Sequence, residues 1–280
     1  MENNNYNKEN VVLFSEKYNE HYKSITLGIN ESFLKFVIPS FDYLKKITQV
    51  RNNITNNTEQ IYIKKLNILD DCFGYGFNTI ATIYYTKLNY PNTKISIFSF
   101  EKEKEVVTKI KEIKQDLFFF CEKTKYFEDI FPNVTKNIRE KTFRETIEII
   151  ENLNFHETKN NNNNFYYHEK NKINIKIFIE DLNNINKKIK FKKFDFIYHD
   201  PFSIKNNPDA WSENLFKKIQ KTTKKNTIIT SYSSNSIFRN ILRNLKYKII
   251  NIDAQGRRKP STLALKIKIF DKKLKITDKN

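Results

Sequence analysis

The stretch IYIKKLNILDDCFGYGFNTIATIYYTKLNYPNTKISIFSFE, residues 61–101, decides the fold class of this chain. Ile61 to Leu69 predicts a buried strand, and a helix is predicted from about Asn78 to Asn89, before a Tyr-Pro-Asn stop. Lys94 to Phe100 alternates in polarity and predicts a second strand. A strand, a glycine-containing turn, a helix and a second strand form a βαβ unit whose length suits a parallel crossover.

Further strands and helices alternate after this unit. Strands are predicted at Lys176–Glu180, Asp195–Tyr198 and Thr227–Ser231, helices at Trp211–Lys221 and Ser236–Leu245, and a closing antiparallel pair at Ile249–Ile252 and Thr262–Ile269. This order predicts an open α/β sheet that is mostly parallel, with an antiparallel C-terminal strand.

The remaining segments are expected to flank or interrupt a single domain at 11–280. Residues 1–10 are polar and Asn-rich, which predicts a disordered tail. Residues 11–60 are expected to be an N-terminal extension, with a helix that Pro39 interrupts and a polar loop at 51–60.

An insertion is predicted at about 103–172. Residues 103–155 carry many charges and no glycine and are expected to be helical. The unbroken asparagine tract at 160–164 is expected to be a solvated loop.

Composition excludes several classes of protein. The 280 residues are 39% hydrophobic, with 24 Phe and 15 Tyr, so a large core can form. No apolar run of about 18 residues exists, which argues against a transmembrane helix, and the polar first ten residues are not expected to act as a secretory signal. Two cysteines make neither a disulfide framework nor a zinc site. We therefore expect a cytoplasmic protein without a membrane association or a metal; the oligomeric state is not indicated.

The chain is strongly basic. Lys and Arg number 50 against 32 Asp and Glu, giving a formal charge of +18, a pI of about 9.6 and a mean hydropathy of -0.67. Codons poor in G and C would also enrich Lys, Asn, Ile, Phe and Tyr, so composition alone explains part of this excess. An excess of this size attracts phosphates whatever its origin, which favours a nucleic-acid partner.

Glycines mark a ligand loop after the first predicted strand. The chain has four glycines in all, and Gly74 and Gly76 lie in that turn, where glycine permits a positive φ and a close approach of a ligand to the backbone. Glu101 ends the second strand, where an acidic residue of this fold type bonds a ribose diol. Asp181 ends a later strand and is a candidate contact for an adenine amino group. A tight turn and ordinary charged strand ends are the alternative explanation.

The cofactor class follows from what the loop lacks. A dinucleotide fingerprint needs a third glycine, where this chain has Thr79, and no phosphate-binding G-x-x-x-x-G-K-[ST] loop is present. S-adenosylmethionine carries a ribose and an adenine without phosphate, so it fits this pattern better than NAD or ATP does.

A second centre is predicted at His199-Asp200-Pro201-Phe202, after a strand. Asp200 is a candidate catalytic residue that orients an amine nucleophile and accepts its proton, and Phe202 or Trp211 is a candidate to stack on a flat base. A plain Asp-Pro turn is the alternative. Near the C-terminus, Gly256-Arg257-Arg258-Lys259 is expected to be a basic turn that grips phosphate, or else a solvated charge run.

Several stretches resemble the methyltransferase domain of the bifunctional tRNA 5-methylaminomethyl-2-thiouridine biosynthesis family. The most specific is DPFSIKNNPDAWSENLF, from Asp200 to Phe216; FGYGFN from Phe73 to Asn78 is similar to the family's cofactor loop, and SFEK from Ser99 to Lys102 to the end of its second strand. Tyr18–Tyr22 and Gly256–Lys259 are similar to its N-terminal segment and C-terminal basic turn. Pro201 stands where the family has glycine, and Lys205 lies near the family's lysine.

The resemblance implies a Rossmann-like class I methyltransferase, in a stand-alone form without the flavin-dependent oxidase domain. It implies transfer of a methyl group to the amine of 5-aminomethyl-(2-thio)uridine at the wobble position of tRNA, with the anticodon stem-loop as partner. The cofactor-binding residues that it implies are Tyr22, Phe73, Gly74, Gly76, Asn78, Glu101, Asp181 and Asp200. The tRNA-binding residues are Phe202, Lys205, Trp211, Arg257, Arg258 and Lys259. The alternatives are an amino-methyltransferase acting on DNA adenine or protein lysine, and a non-catalytic tRNA-binding module.

Overall fold

The structure is a computed structural model that describes part of the chain in detail. The described residues are 14–22, 25–55, 62–113, 117, 126–158, 164–190, 192–253 and 259–266. The predicted tail at 1–10, most of the asparagine tract, Arg257 and Arg258 lie outside the described residues.

The elements alternate between strands and helices along the chain. The helices are α1 (Ile25–Glu31), α2 (Ile38–Thr55), α3 (Phe77–Asn89), α4 (Lys104–Thr108), α5 (Tyr126–Ile130), α6 (Lys136–Glu151), α7 (Ile185–Lys188), α8 (Glu213–Gln220) and α9 (Ser236–Asn244), with a π-helical segment at Ser32–Val37, 3₁₀ turns at Leu182–Asn184 and Pro208–Trp211, and a further helical stretch at 110–113. The strands are β1 (Phe14–Ser15), β2 (Glu20–His21), β3 (Lys65–Asp70), β4 (Lys94–Glu101), β5 (Asn154–His156), β6 (Phe165–Lys170), β7 (Ile173–Ile179), β8 (Phe194–His199), β9 (Thr223–Ser231), β10 (Lys248–Ile252) and β11 (Ser261–Leu265).

A nine-stranded sheet organises the described residues, in the order β10-β11-β9-β8-β3-β4-β7-β6-β5. Its five central strands are parallel to their neighbours, from β9 through β8, β3 and β4 to β7. The hairpin β10–β11 closes one side and the hairpin β5–β6 closes the other, both antiparallel. This confirms the predicted α/β class and the antiparallel C-terminal pair. Parallel strands place their carboxyl ends at one edge, so the predicted acidic strand ends lie together.

The sheet is covered on both faces by apolar clusters. Phe33, Tyr84 and Phe196 belong to the cluster under α1, α2, α3 and α6. Leu69 and Phe238 belong to the cluster under α7, α8 and α9. Among the residues that the structure describes, no helix combines the length and the apolar character that crossing a membrane requires.

The N-terminal helix differs from its prediction because a π-helical segment accommodates Pro39. The helix was expected to be interrupted at this proline and to be followed by a loop from residue 51. The backbone N–H of Ile38 instead donates to the carbonyl of Phe33, five residues earlier. This wider turn directly precedes Pro39, which has no backbone N–H to donate, and α2 continues beyond it to Thr55. The expectations of a break at Pro39 and of a loop at 51–55 were wrong.

The predicted helical region after β4 contains a strand as well. Helices account for much of its described part, but Asn154–His156 forms β5, which pairs with the unpredicted strand β6. Strand β6 was missed because FYYHEK has no apolar–polar alternation, although β7 supplies its pairing partner.

Candidate active site

A cavity opens at the carboxyl ends of β3, β4, β7 and β8. Its volume is about 480 Å³, within the range of small-molecule sites. Eight of the predicted site residues line it: Tyr22, Phe73, Gly74, Asn78, Glu101, Asp181, Asp200 and Phe202. The position agrees with the general rule that open α/β sheets bind ligands outside the carboxyl ends of their strands.

The turn after β3 uses its two glycines for different reasons. Gly74 lines the cavity with a φ of 52°, and a Cβ there would meet the Tyr22 ring at 3.7 Å, an ordinary contact. Gly76 has a φ of 76°, and a Cβ there would lie 2.7 Å from the Phe73 ring. Gly76 does not line the cavity. The space beside Gly76 is occupied by Phe73, so of the two glycines that were expected to admit a ligand, Gly74 lies at the cavity and Gly76 does not.

Glu101 connects the end of β4 to the glycine turn. One carboxylate oxygen accepts the backbone N–H of Gly74 at 3.0 Å, and the other accepts the N–H of Glu103 at 3.0 Å. Burial raises the pKa of Glu101, although these backbone hydrogen bonds oppose the shift. A carboxylate offers about four lone-pair sites, so Glu101 retains the capacity to accept a ligand hydroxyl, as a contact to a ribose diol needs.

Asn78, in the first turn of α3, contacts the second centre. Its side-chain Nδ2 donates to Asp200 Oδ2 at 3.0 Å and lies 3.4 Å from Asp70 Oδ1. Its Oδ1 accepts the hydroxyl of Ser32 at 2.7 Å, and this hydroxyl comes from the π-helical segment. Asn78 was predicted to bind the cofactor, whereas its polar atoms here hold the candidate catalytic carboxylate.

Asp70 supports the same network from beneath. It is fully buried and its Oδ2 accepts the Thr79 hydroxyl at 2.7 Å. Burial raises the pKa of Asp70 well above its usual value, and the nearby carboxylates of Asp200 and Asp71 raise it further. Two carboxylates close together favour the protonated form of one of them.

Asp71 and His199 form a buried pair between β3 and β8. Both side chains are fully buried, and His199 Nδ1 lies 2.6 Å from Asp71 Oδ2. The imidazole packs edge-on to Trp211, with ring centroids 4.6 Å apart. His199 therefore packs in the core, and its hydrogen bond to Asp71 ties the two strand ends together.

The loop after Asp200 is fastened to the N-terminal hairpin β1–β2. The Glu20 carboxylate accepts hydrogen bonds from the Ser203 backbone N–H at 3.1 Å, the Ser203 hydroxyl at 2.7 Å and the Asn206 amide at 2.9 Å. The rings of Tyr18 and Phe202 are stacked, with centroids 4.6 Å apart. The hairpin therefore fixes one wall of the cavity.

Tyr22 lies between the two centres. Its ring contacts Phe202 and Tyr75 edge-on, with centroids 4.8 and 4.9 Å away. Burial raises the pKa of Tyr22, and the charge of Glu101 adds to the effect, so the phenol is kept protonated.

Three predicted substrate residues, Trp211, Lys205 and Lys259, lie outside the cavity lining, and Asp181, a predicted cofactor contact, lies at its rim. Trp211 is 2% exposed and its indole N–H donates to the Phe202 carbonyl at 2.8 Å, so it supports the loop from below and is not available to cover a base. Lys205 and Lys259 are exposed outside the cavity lining. Asp181 lies at the rim, where its carboxylate caps Asn183 and pairs with Lys102 at 2.7 Å. Burial opposes ionisation of Asp181, but these contacts outweigh it and lower its pKa.

Sequence reasoning overlooked two further groups at the site. Glu20 lay inside the Tyr18–Tyr22 stretch that carried the family resemblance, which was the available signal. Tyr232 lines the cavity and its hydroxyl donates to the Pro201 carbonyl at 3.0 Å. No local pattern marked Tyr232, because its contact joins residues 31 positions apart.

The cavity is acidic although the chain is basic. Among the lining residues that the structure describes, eight are acidic and one is a lysine. The acidic residues are Glu20, Glu31, Asp71, Glu101, Glu180, Asp181, Asp200 and Asp209, and the lysine is Lys102. A pocket with this lining attracts cations and stabilises them when they are bound.

Comparison with known proteins agrees with this geometry. Residues 144–267 match a family described as S-adenosyl-L-methionine-dependent methyltransferase. The crystal structure of MnmC2 from Aquifex aeolicus is similar with a TM-score of 0.62 and 25% identity, over 91% of this chain and 67% of that one.

A second similar protein is the uncharacterized protein MJ0670 of Methanocaldococcus jannaschii. It is 26% identical over 255 residues, which are 91% of this chain and 56% of that protein. The chain thus spans just over half the length of this curated relative. The family match over residues 144–267 and the similar structure confirm the resemblance to the methyltransferase domain of the tRNA 5-methylaminomethyl-2-thiouridine biosynthesis family, and the described residues have the class I methyltransferase fold.

Proposed function

We propose that this enzyme N-methylates the amine of 5-aminomethyl-(2-thio)uridine at the wobble position of tRNA, giving 5-methylaminomethyl-(2-thio)uridine. The observation that carries the proposal is the acidic cavity within a chain of charge +18. Its lining suits a substrate group that arrives as a cation, whereas its surroundings suit a polyanion. A primary alkyl amine attached to a nucleic acid has both properties.

This charge pattern separates the proposal from methylation of a nucleobase amino group. An alkyl amine has a pKa near that of lysine, about 10.4, and reaches the site mostly as an ammonium ion. An adenine amino group is neutral and gains nothing from eight carboxylates. A protein lysine has the same charge as the proposed substrate, so the basic exterior is what favours a nucleic-acid carrier over a protein.

Glu101 and the turn at Gly74 are the proposed holders of the cofactor's ribose. The Glu101 carboxylate and the Gly74 backbone both line the cavity wall. Phe73 and Tyr22 supply apolar walls, and Asp181 is proposed to contact the adenine from the rim. S-adenosylmethionine supplies an electrophilic methyl group on a positively charged sulfur, which an acidic lining also suits.

Asp200 is the proposed catalytic residue. A nearby carboxylate stabilises the ammonium form, so charge alone would slow an amine nucleophile. Asp200 must therefore orient the amine and accept its proton while the new nitrogen–carbon bond forms. Its Oδ2 accepts a hydrogen bond from the Asn78 amide, which fixes the orientation of the carboxylate at the cavity wall.

Phe202 is proposed to cover the uracil ring once the base has left its stack. It lines the cavity and already stacks on Tyr18, so a flat base would extend an existing aromatic pair. Lys205 and Lys259 are exposed and are proposed to contact phosphates, together with Arg257 and Arg258, which lie outside the described residues.

The test uses bulk tRNA from cells lacking the gene. The purified enzyme is incubated with this tRNA and labelled S-adenosylmethionine, and the tRNA is digested to nucleosides and analysed by mass. We expect the label in 5-methylaminomethyl-(2-thio)uridine. Label that appears only in DNA adenine or protein lysine, in parallel reactions with those substrates, or tRNA binding without any transfer, would refute the proposal.

A further inference from the structure

The hairpin β5–β6 carries aromatic side chains on its solvent-facing side, where polar residues are usual. On one face, Tyr166 is buried and Phe155 packs against the core. Alternate residues lie on the other face, where His156 is exposed and Phe165 is half-buried. An antiparallel sheet normally turns polar side chains to solvent, and contiguous exposed aromatics indicate an interaction surface.

These rings belong to a row that reaches the cavity. Strand register places His156 opposite Phe165, Phe165 opposite Phe178, and Phe178 opposite Phe100, across β5, β6, β7 and β4. His156 and Phe165 are stacked with centroids 5.0 Å apart, and Phe178 and Phe100 with centroids 5.2 Å apart. Phe100 lines the cavity. Two strand spacings, roughly 10 Å, thus separate Phe165 from the active site.

Lysines lie among the outer rings. The Lys176 ammonium is 3.8 Å from the Phe165 centroid, and Lys192 is 5.4 Å from that of Phe98. Burial lowers the pKa of Lys176, and the positive charge of Lys192 adds to the effect. Within the described part of the chain, neither ammonium has a carboxylate at ion-pair distance. Glu169 bounds the surface at its far end, where it accepts the Tyr167 hydroxyl.

We propose that His156, Phe165, Lys176 and Lys192 bind the single-stranded RNA that flanks the methylated nucleotide. The inference rests on the proposed function, because it assumes that the substrate is RNA. Aromatic rings interleaved with lysines are the usual means of holding single strands, with bases stacked on rings and phosphates paired with cations. The His156 ring is the accessible platform, and the row directs the strand toward Phe100. Pairing of β5 with the same edge of a second copy is the competing use of this surface.

The test compares charge-removing variants that keep the apolar stem of each side chain. Lys176→Met with Lys192→Met removes both cations, and His156→Ala removes the exposed ring. Lys225→Met is the control, because Lys225 is exposed near the amino end of β9, whereas His156 and Phe165 lie in register with the carboxyl end of β7. Calorimetry with S-adenosylmethionine verifies that each variant is folded and binds its cofactor.

Binding of total tRNA from the deletion strain is measured against salt concentration. The double lysine variant should lower the salt dependence by about 1.4 in the slope of log K against log salt, because each phosphate contact to a single strand contributes about 0.7. His156→Ala should weaken binding about 5- to 150-fold. The KM for tRNA should rise in both while kcat at saturation stays unchanged.

The two hypotheses fail differently. If the lysine and histidine variants bind tRNA with the same affinity and salt dependence as Lys225→Met, the proposed RNA-binding surface is refuted, whereas methyl transfer by the unaltered enzyme is unaffected. Unaltered enzyme that binds tRNA but transfers no methyl group would refute the proposed function, and the variants would still decide the surface. Light scattering that shows a dimer disrupted by His156→Ala, with tRNA affinity unchanged, would assign the surface to self-association instead.

Discussion

Replacing Asn78 tests whether it positions Asp200 or holds the cofactor. Its Nδ2 donates to Asp200 Oδ2 at 3.0 Å, and its amide is oriented by Ser32. A hydrogen bond to a charged group contributes about 1.5–3 kcal/mol. At about 1.36 kcal/mol per tenfold change in rate, Asn78→Ala should lower kcat about 10- to 150-fold. Affinity for S-adenosylmethionine should stay within about threefold, because the Asn78 side-chain NH₂ is directed at Asp200 and Asp70 and its oxygen accepts from Ser32.

Two further variants at this network sharpen the test. Ser32→Ala removes the donor that orients the Asn78 amide, and it should give a smaller loss of kcat of the same kind. Asn78→Asp keeps the shape but places a third carboxylate beside Asp70 and Asp200. Burial and Asp200 already raise the pKa of Asp70. A further negative charge should raise the pKa values of the neighbouring carboxylates, so the acid limb of the pH–kcat profile should move to higher pH.

The assays are single-turnover methyl transfer to tRNA and calorimetry with S-adenosylmethionine. The positioning role predicts a fall in kcat with cofactor affinity retained. A loss of cofactor affinity as large as the loss of kcat/KM would refute it, and would restore the direct cofactor contact predicted from sequence.

Three other substitutions give distinct outcomes. Asp200→Asn should retain cofactor affinity and lower kcat about 10²- to 10⁴-fold, as removal of a general base does; unchanged turnover in the same transfer assay would leave Asp200 a turn residue. Gly76→Ala should lower the free energy of unfolding, measured in urea, by more than Gly74→Ala does. Both variants lose about 1–2 kcal/mol to a left-handed backbone, but only position 76 adds a clash with Phe73, which costs a further ~1–3 kcal/mol. Equal losses in the two variants would contradict this. Burial raises the pKa of Asp70 in the folded state, so the contribution of Asp70 to the free energy of unfolding is complete below its ordinary pKa and is lost as the pH rises through the raised pKa. The stability of Asp70→Asn should therefore depend less on pH than that of the unaltered protein between these two pKa values. An identical dependence would be inconsistent with a raised pKa.

Local patterns were sufficient to predict the part of the fold that carries the cavity. Strand β3, helix α3 and strand β4 lie where hydrophobic alternation and turn residues placed them, within a few residues at each end. The acidic ends of these strands converge because parallel strands share a carboxyl edge. Both inferences depend on residues that are close in sequence, which explains why one chain was enough.

Features that depend on distant contacts could not be predicted in this way. The donor from Asn78 to Asp200 joins residues 122 positions apart, and the pair of Asp71 with His199 joins residues 128 apart. Trp211 was misplaced because nearness in sequence to a candidate catalytic residue was taken to indicate a position at the cavity surface. Its helical turn instead faces the core, where the indole N–H finds the Phe202 carbonyl.

The way in which the carboxylates are held explains how an acidic cavity persists in a basic protein. Glu20 accepts from a backbone N–H, a hydroxyl and an amide, and Glu101 accepts from two backbone N–H groups. These neutral donors fill the hydrogen-bonding capacity of the carboxylate oxygens and leave the negative charge in place, whereas a lysine partner would also neutralise the charge. Glu31, Glu180 and Asp181 are the contrasting cases, because each of them pairs with a lysine: Lys35, Lys188 and Lys102 respectively. The negative field is therefore concentrated in the interior of the cavity, on side chains fixed by strand ends, where a cation needs no rearrangement of the protein to be stabilised.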